Sequence, residues 1–206
     1  MDVLLNTFVV LFIVIDPIGL APMFVALTQG MSAERRRKMA MTGTSLATAI
    51  LLAFLFIGDG LLSILGIGIP AFRIAGGALL FLLAIDMVFA RHSGLRSTTT
   101  REQEEAEHKQ DVSVFPLAFP LIAGPGALTT VLLMTSSRQE PIVFAGILAV
   151  LLFVLGLTLL SFLFATRIIQ LLGETGSNVI SRVLGLILAA LAVQYVLDGL
   201  KASLFS

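Results

Sequence analysis

The residues best suited to bind a ligand lie in two short segments, each within a long apolar run. The first segment is Asp16-Pro17-Ile18-Gly19, and the second is Gly124-Pro125-Gly126-Ala127. A proline removes a backbone hydrogen bond and clashes with the preceding helical turn, so each segment predicts a break in a helix. Asp16 before Pro17 is typical of an N-cap followed by a proline in the first helical turn.

The two predicted breaks offer groups of complementary charge. The Asp16 carboxylate can cap its own helix, meet a substrate ammonium group or carry a proton. Gly124 has no capping side chain, so the amides of Gly126 and Ala127 remain at the positive end of a helix dipole, which favours a carboxylate. Together the breaks predict a site for a small zwitterion such as glycine or alanine. The predicted substrate-binding residues are Asp16, Pro17, Gly19, Gly124, Pro125, Gly126, Ala127, Thr129 and Thr130.

The elements that carry these segments are predicted to be transmembrane helices. The chain is 57% hydrophobic and 13% charged, whereas a soluble domain carries roughly 25% charged residues. A helix needs about 20 mostly apolar residues to cross a bilayer. Six runs approach or exceed this length, and they predict an all-α membrane protein with spans at Val3–Leu27, Met39–Leu65, Ile74–Ala90, Val112–Ser137, Pro141–Thr166 and Val179–Leu200.

The spans are predicted to form two inverted three-helix repeats, residues 1–90 and 112–206, joined by a polar cytoplasmic linker at 91–111. With three spans in each half, the second half enters the membrane from the opposite face. Arg73-x-x-Gly76 and Arg182-x-x-Gly185 recur at an offset of 109, and Pro17 and Pro125 are 108 apart. Both prolines lie about 20 Å into their spans, near the bilayer centre. Discontinuous helices 1 and 4 at matched depth are typical of a transporter site at a repeat interface.

Topology is predicted from basic residues in the connections between spans. One side of the membrane receives ten of them and the other receives three, and the positive-inside rule then places both termini outside the cytoplasm. The first Lys or Arg is Arg35, so the first run lacks the basic start of a cleaved signal and is expected to remain as a span.

The remaining polar residues predict supporting roles and no enzymatic chemistry. Arg73, Arg182, Gln194 and Tyr195 are candidates for gating or for lining a cavity. Both histidines, His92 and His108, lie in the linker, so a catalytic histidine within a span is excluded. Without cysteine or an intramembrane histidine, no metal site and no cofactor are expected, and the neutral formal charge predicts no nucleic-acid partner.

Two motifs and a third segment resemble the MarC family of prokaryotic inner-membrane proteins. They are Asp16–Phe24, Pro116–Ala127 and Leu172–Gly176 with the following Arg182. The resemblance covers essentially the whole chain and implies a six-helix, inverted-repeat protein similar to neutral amino acid transporters and to lysine-exporter-like proteins. The resulting hypothesis is a secondary transporter of small neutral amino acids, coupled to a proton or a sodium ion. A channel for a small solute or ion and a non-transporting membrane scaffold are the alternatives.

Overall fold

The computed structural model describes residues 2–89, 113–136 and 140–204, and every regular element in those ranges is helical. The seven regular helices form where apolar runs coincide with helix-starting residues such as Pro17, Pro125 and Pro141. An eighth, irregular segment is denoted α5. The elements are α1 (Asp2–Ile15), α2 (Pro17–Leu27), α3 (Ala33–Ile64), α4 (Ile69–Val88), α5 (Ser113–Ile122), α6 (Pro125–Ser136), α7 (Pro141–Leu163) and α8 (Ala165–Leu204).

Five helical stretches in the described residues are long and apolar enough to cross a membrane. They are Val3–Leu27, Ala33–Ile64, Ile69–Val88, Pro141–Leu163 and Thr175–Leu204. A sixth is added when α5 and α6, which meet at a 54° bend, are counted as one broken span. The all-helical, multi-pass membrane architecture predicted from the sequence is therefore confirmed.

The outer surface of the helix bundle is apolar, as the bilayer requires. Large aliphatic side chains on the spans are exposed rather than packed, including Ile64 at 84% and Ile142 at 80%. In contrast, Asp16 is the only acidic or basic side chain that is buried among the described residues.

The helices pack across the two halves of the chain. The α1–α2 span contacts α7 and α8, the α5–α6 span contacts α3 and α4, and α4 packs extensively against α8. Glycines permit the close approach of α4 and α8, because a Cβ on Gly77 would lie 2.8 Å from the carbonyl oxygen of Ala192. On the facing helix, a Cβ on Gly185 would lie 3.2 Å from the carbonyl oxygen of Ala84.

Several helix ends differ from the predicted spans. The second helix begins at Ala33 rather than Met39, because Ser32 caps it by accepting a hydrogen bond from the Arg35 amide at 3.3 Å. The last helix begins at Ala165 rather than Val179 and is interrupted at Gly173, whose φ of 68° is accessible mainly to glycine. Apolar runs locate the part of a helix in lipid, whereas caps and glycines set its ends. The predicted linker at 91–111 and the predicted span ends at Ala90, Val112 and Ser137 lie outside the described residues.

Candidate functional site

The first helix break lies at Asp16, between the end of α1 at Ile15 and the start of α2 at Pro17. Asp16 has a left-handed backbone conformation, with φ 52° and ψ 64°. Aspartate tolerates this region better than most residues because its short side chain bonds locally. Here its Oδ1 accepts a hydrogen bond from the Gly19 amide at 3.0 Å, so the side chain caps α2 as the sequence predicts.

Three serine hydroxyls from spans 5 and 6 bind the same break. Ser181 donates to Asp16 Oδ2 at 2.9 Å, and Ser177 donates to the carbonyl oxygen of Ile18 at 3.1 Å. From α7, Ser161 donates to the carbonyl oxygen of Pro17 at 2.6 Å. The hydroxyls therefore donate to backbone and carboxylate oxygens at the break, inside an apolar bundle.

Asp16 is closed off in this conformation. Its side chain is only 2% exposed, and a Cβ built on Gly19 would overlap both the Asp16 carboxylate and the Ser181 hydroxyl. Glycine at position 19 thus allows the carboxylate, the helix start and span 6 to meet. Ser181 on α8 therefore covers the carboxylate in this conformation.

The second helix break lies between α5 and α6. The α5 backbone is extended at Phe115 and Phe119, and the wide turn that follows is closed by the Ala123 amide bonding to the carbonyl oxygen of Ala118 at 2.9 Å. A Cβ on Gly124 would overlap the carbonyl oxygen of Pro120. The chain therefore needs glycine at this position to turn into α6.

The start of α6 presents backbone amides to the interior of the bundle. Pro125 is its first residue, and the carbonyl oxygen of Gly124 accepts the Leu128 amide at 3.0 Å. The amides of Gly126 and Ala127 belong to the first turn, where N–H groups have no acceptor within their own helix. Anions are favoured at such a position by the N–H groups and by the helix dipole.

The two breaks are neighbours. A Cβ on Gly126 would lie 3.6 Å from Cγ1 of Val14, two residues before Asp16. A cavity of about 10 Å³, which we call the central cavity, lies at the second break beside Val14; it has room for roughly one water molecule. Its lining residues are Val14, Leu83, Pro120, Leu121, Ile122, Gly124, Pro125, Gly126 and Ala127.

The two predicted threonines lie on α6 with their side chains directed to different neighbours. Thr130 is fully buried and donates to the carbonyl oxygen of Gly126 at 2.8 Å, within its own helix. The methyl carbon of Thr129 occupies the space in which a Cβ on Gly76 would lie, so α4 and α6 approach closely there.

A larger polar cavity, which we call the Arg73 cavity, has a volume of about 180 Å³. It lies toward the end of the bundle where α1 begins and α8 ends. Arg73 and Tyr195, both predicted from sequence as cavity-lining candidates, line it together. Its full lining is Val3, Asn6, Thr7, Arg73, Leu133, Met134, Ile147, Tyr195 and Asp198.

The other two candidates of that group lie elsewhere. Gln194 is exposed, and its Nε2 donates to Asp198 Oδ1 at 2.8 Å. The Arg182 side chain is exposed on α8 and does not line this cavity. The equivalence of Arg73 and Arg182 in the sequence motif therefore does not extend to equivalent surroundings.

The serine hydroxyls at the first break were missed by sequence reasoning. Ser177 and Ser181 are four residues apart on α8 and so share one helix face, which is the signal that could have pointed to them. Ser161 has no such pattern around it. Among the described residues, no group of three or more acidic or histidine side chains is placed to hold a metal ion.

Comparisons with known proteins agree with this architecture. A model described as the MarC family of integral membrane proteins matches residues 1–204. The membrane protein YvbG of Bacillus subtilis is 37% identical over 96% of this chain and 94% of its own. The membrane protein YhcE of Escherichia coli is 35% identical over 94% of this chain and 90% of its own. An Archaeoglobus fulgidus membrane protein is 36% identical, covering 97% and 93%. No solved structure matches the chain.

Proposed function

The chain belongs to the MarC family of integral membrane proteins, and we propose that it is a secondary transporter of small neutral amino acids such as glycine and alanine. The observation that carries the proposal is the meeting of two helix breaks inside the bundle. One break holds a buried carboxylate at Asp16, and the other presents the amides of Gly126 and Ala127. These groups complement the ammonium and carboxylate groups of a zwitterion.

The packing of the helices supports an inverted repeat. Span 1 contacts spans 5 and 6, span 4 contacts spans 2 and 3, and spans 3 and 6 contact each other. A two-fold axis in the membrane plane that exchanges the two halves would produce this exchange of neighbours. In such folds, discontinuous helices bind substrate near the bilayer midplane.

Each of two cavities flanks the centre at a similar distance. Phe24, seven residues after Pro17 on α2, lines a cavity at one end of the bundle. Leu133, seven residues after Gly126 on α6, lines the Arg73 cavity at the other. Seven residues of helix correspond to about 10 Å. We infer that substrate reaches the central site from these cavities in turn, and that this conformation is closed to both.

Opening of the site to substrate would first break the contacts that seal Asp16. Release of the Ser181 hydroxyl would free one carboxylate oxygen for the substrate ammonium or for a coupling proton; a sodium ion is the alternative coupling ion. The positive-inside rule favours an inner-membrane orientation with both termini on the periplasmic side.

A permanently open channel is supported less well. The central cavity has a volume of about 10 Å³ and is lined mainly by apolar side chains. Conduction through it would need the same opening motion that a carrier needs. The alternatives separate on flux, because a carrier shows saturation and counterflow, a channel shows neither, and a scaffold shows no flux.

The test is uptake of labelled glycine and alanine into proteoliposomes, with and without a proton gradient. Gly126→Ala places a methyl group in the first turn of α6, 2.9 Å from Leu83 Cδ2. Since one methyl group in a binding pocket is worth about 1–3 kcal/mol, KM should rise about tenfold or more. Gly156→Ala is the control, because a Cβ there meets nothing within 4 Å. Absence of saturable uptake by the unmodified chain would overturn the proposal.

A further inference from the structure

The largest of these three cavities lies at the end of the bundle where α2 ends and α3 begins, and we call it the Arg36 cavity. Its volume is about 410 Å³. Its lining residues are Phe24, Ala33, Arg36, Arg37, Phe162, Leu163 and Thr166. It is one of the two access cavities in the proposed transport route, but that route assigns no ligand to its arginines.

One side of the Arg36 cavity is polar and positively charged. Arg36 Nη2 donates to Thr166 Oγ1 at 3.0 Å, a bond that joins the start of α3 to the start of α8. A guanidinium group carries five N–H donors in a fixed fork, and this bond uses one of them. Arg37 adds a second guanidinium, and none of the lining residues in the described part of the chain is acidic. The polar side therefore complements an anion with several acceptor oxygens, such as a phosphate group.

The other side of the Arg36 cavity is apolar and continues to the lipid-facing surface. The rings of Phe24 and Phe162 stack with their centroids 4.7 Å apart and form a buried floor. Leu163 is 40% exposed, and the next residue, Phe164, is 47% exposed. A charged rim directly above exposed apolar side chains is the arrangement of a membrane interface, where basic pockets between helices bind anionic head groups.

We propose that the Arg36 cavity binds an anionic phospholipid. The phosphate lies against Arg36, Arg37 and the Thr166 hydroxyl, and the start of an acyl chain lies along Leu163. The apolar side selects a lipid over free phosphate, because a soluble anion would leave that surface uncovered. The proposal does not depend on transport, because it rests only on the charge and the apolar lining of this cavity.

The experiment measures lipid binding to the full purified chain in detergent, by native mass spectrometry and by thermal unfolding. Phosphatidylglycerol is compared with phosphatidylcholine and with inorganic phosphate. We expect phosphatidylglycerol to bind and to raise the melting temperature, and the other two to do neither. Equal effects of phosphatidylglycerol and phosphatidylcholine would overturn the proposal, and so would an equal effect of inorganic phosphate.

Substitutions then locate the site. Arg36→Gln should weaken phosphatidylglycerol binding about tenfold or more, because charged hydrogen bonds contribute about 1.5–3 kcal/mol and each 1.4 kcal/mol is tenfold. Lys38→Gln is the matched control, since it removes the same unit charge from the same basic run but does not line the cavity. Equal losses in the two variants would show that only the general charge of the run matters and would overturn the assignment.

A third variant covers the case in which Arg36→Gln does not fold. Thr166→Val removes one hydroxyl from an exposed position and leaves both guanidinium groups in place. It should weaken phosphatidylglycerol binding several-fold without changing the binding of phosphatidylcholine. Unchanged phosphatidylglycerol binding in this variant, with Arg36→Gln unfolded, would count against the site.

Discussion

The hydrogen bond from Ser181 to Asp16 is expected to be the strongest of the three serine contacts at the first helix break. Ser181 donates to a carboxylate that is 2% exposed, whereas Ser161 and Ser177 donate to neutral carbonyl oxygens. Hydrogen bonds to charged groups contribute about 1.5–3 kcal/mol. Side-chain hydrogen bonds in membrane proteins average about 0.6 kcal/mol. Ser181→Ala should therefore lose more stability than Ser161→Ala or Ser177→Ala.

The difference is large enough to measure by thermal unfolding in detergent. A chain of this length loses about 2–4 °C of melting temperature for each kcal/mol. The expected loss is then about 3–12 °C for Ser181→Ala and about 1–2 °C for each of the other two serine variants. Ser63→Ala, at an exposed position on α3, is the control and should change nothing.

A double-mutant cycle with Asp16→Asn isolates the contact itself. Asparagine retains the left-handed backbone preference and an oxygen that can cap α2, so the substitution removes mainly the charge. The coupling free energy between Asp16 and Ser181 should then approach about 1.5–3 kcal/mol. Equal losses for the three serines, together with a coupling near zero, would refute the assignment of a charged acceptor at Asp16.

Three further predictions concern transport and packing. Asp16→Asn should retain folding but lose the dependence of any remaining uptake on a proton gradient; an unchanged dependence in proteoliposomes would contradict proton coupling through Asp16. Phe162→Ala removes the ring that stacks on Phe24 and should lower the free energy of unfolding by about 3–5 kcal/mol in denaturant titrations. Arg73→Gln should raise KM for substrate presented at the α8 C-terminal face, with Arg73→Lys intermediate, and a KM equal to that of the unmodified chain would remove Arg73 from the access route.

The residues at which α2 and α6 begin have a local cause that the sequence shows. Proline at positions 17 and 125 cannot donate to the preceding turn, and α2 and α6 begin at those residues. The N-cap role of Asp16 is also local, since its bond spans three residues to Gly19. The membrane spans could also be predicted directly, because a helix needs an apolar run of a certain length to cross the bilayer.

The surroundings of the breaks could not be predicted, because they depend on contacts between distant parts of the chain. Ser161 and Ser181 meet residues about 150 positions earlier in the sequence, and serine is common enough in membrane helices to carry no signal by itself. At Arg182, a repeated motif predicted a role matching that of Arg73, and the predicted gating role stays a prediction. Arg182 lies in a helix, as Arg73 does, but the Arg182 side chain lies on the exposed surface.

The close packing of α4 on α8 has a consequence for any motion of the bundle. Gly77 and Gly185 bring the two helix backbones close together there, which leaves little room for a sliding movement. Tight interfaces of this kind move as units rather than deform. We therefore expect α4 and α8 to move together as one rigid unit. The broken spans are the parts that we expect to move relative to this unit.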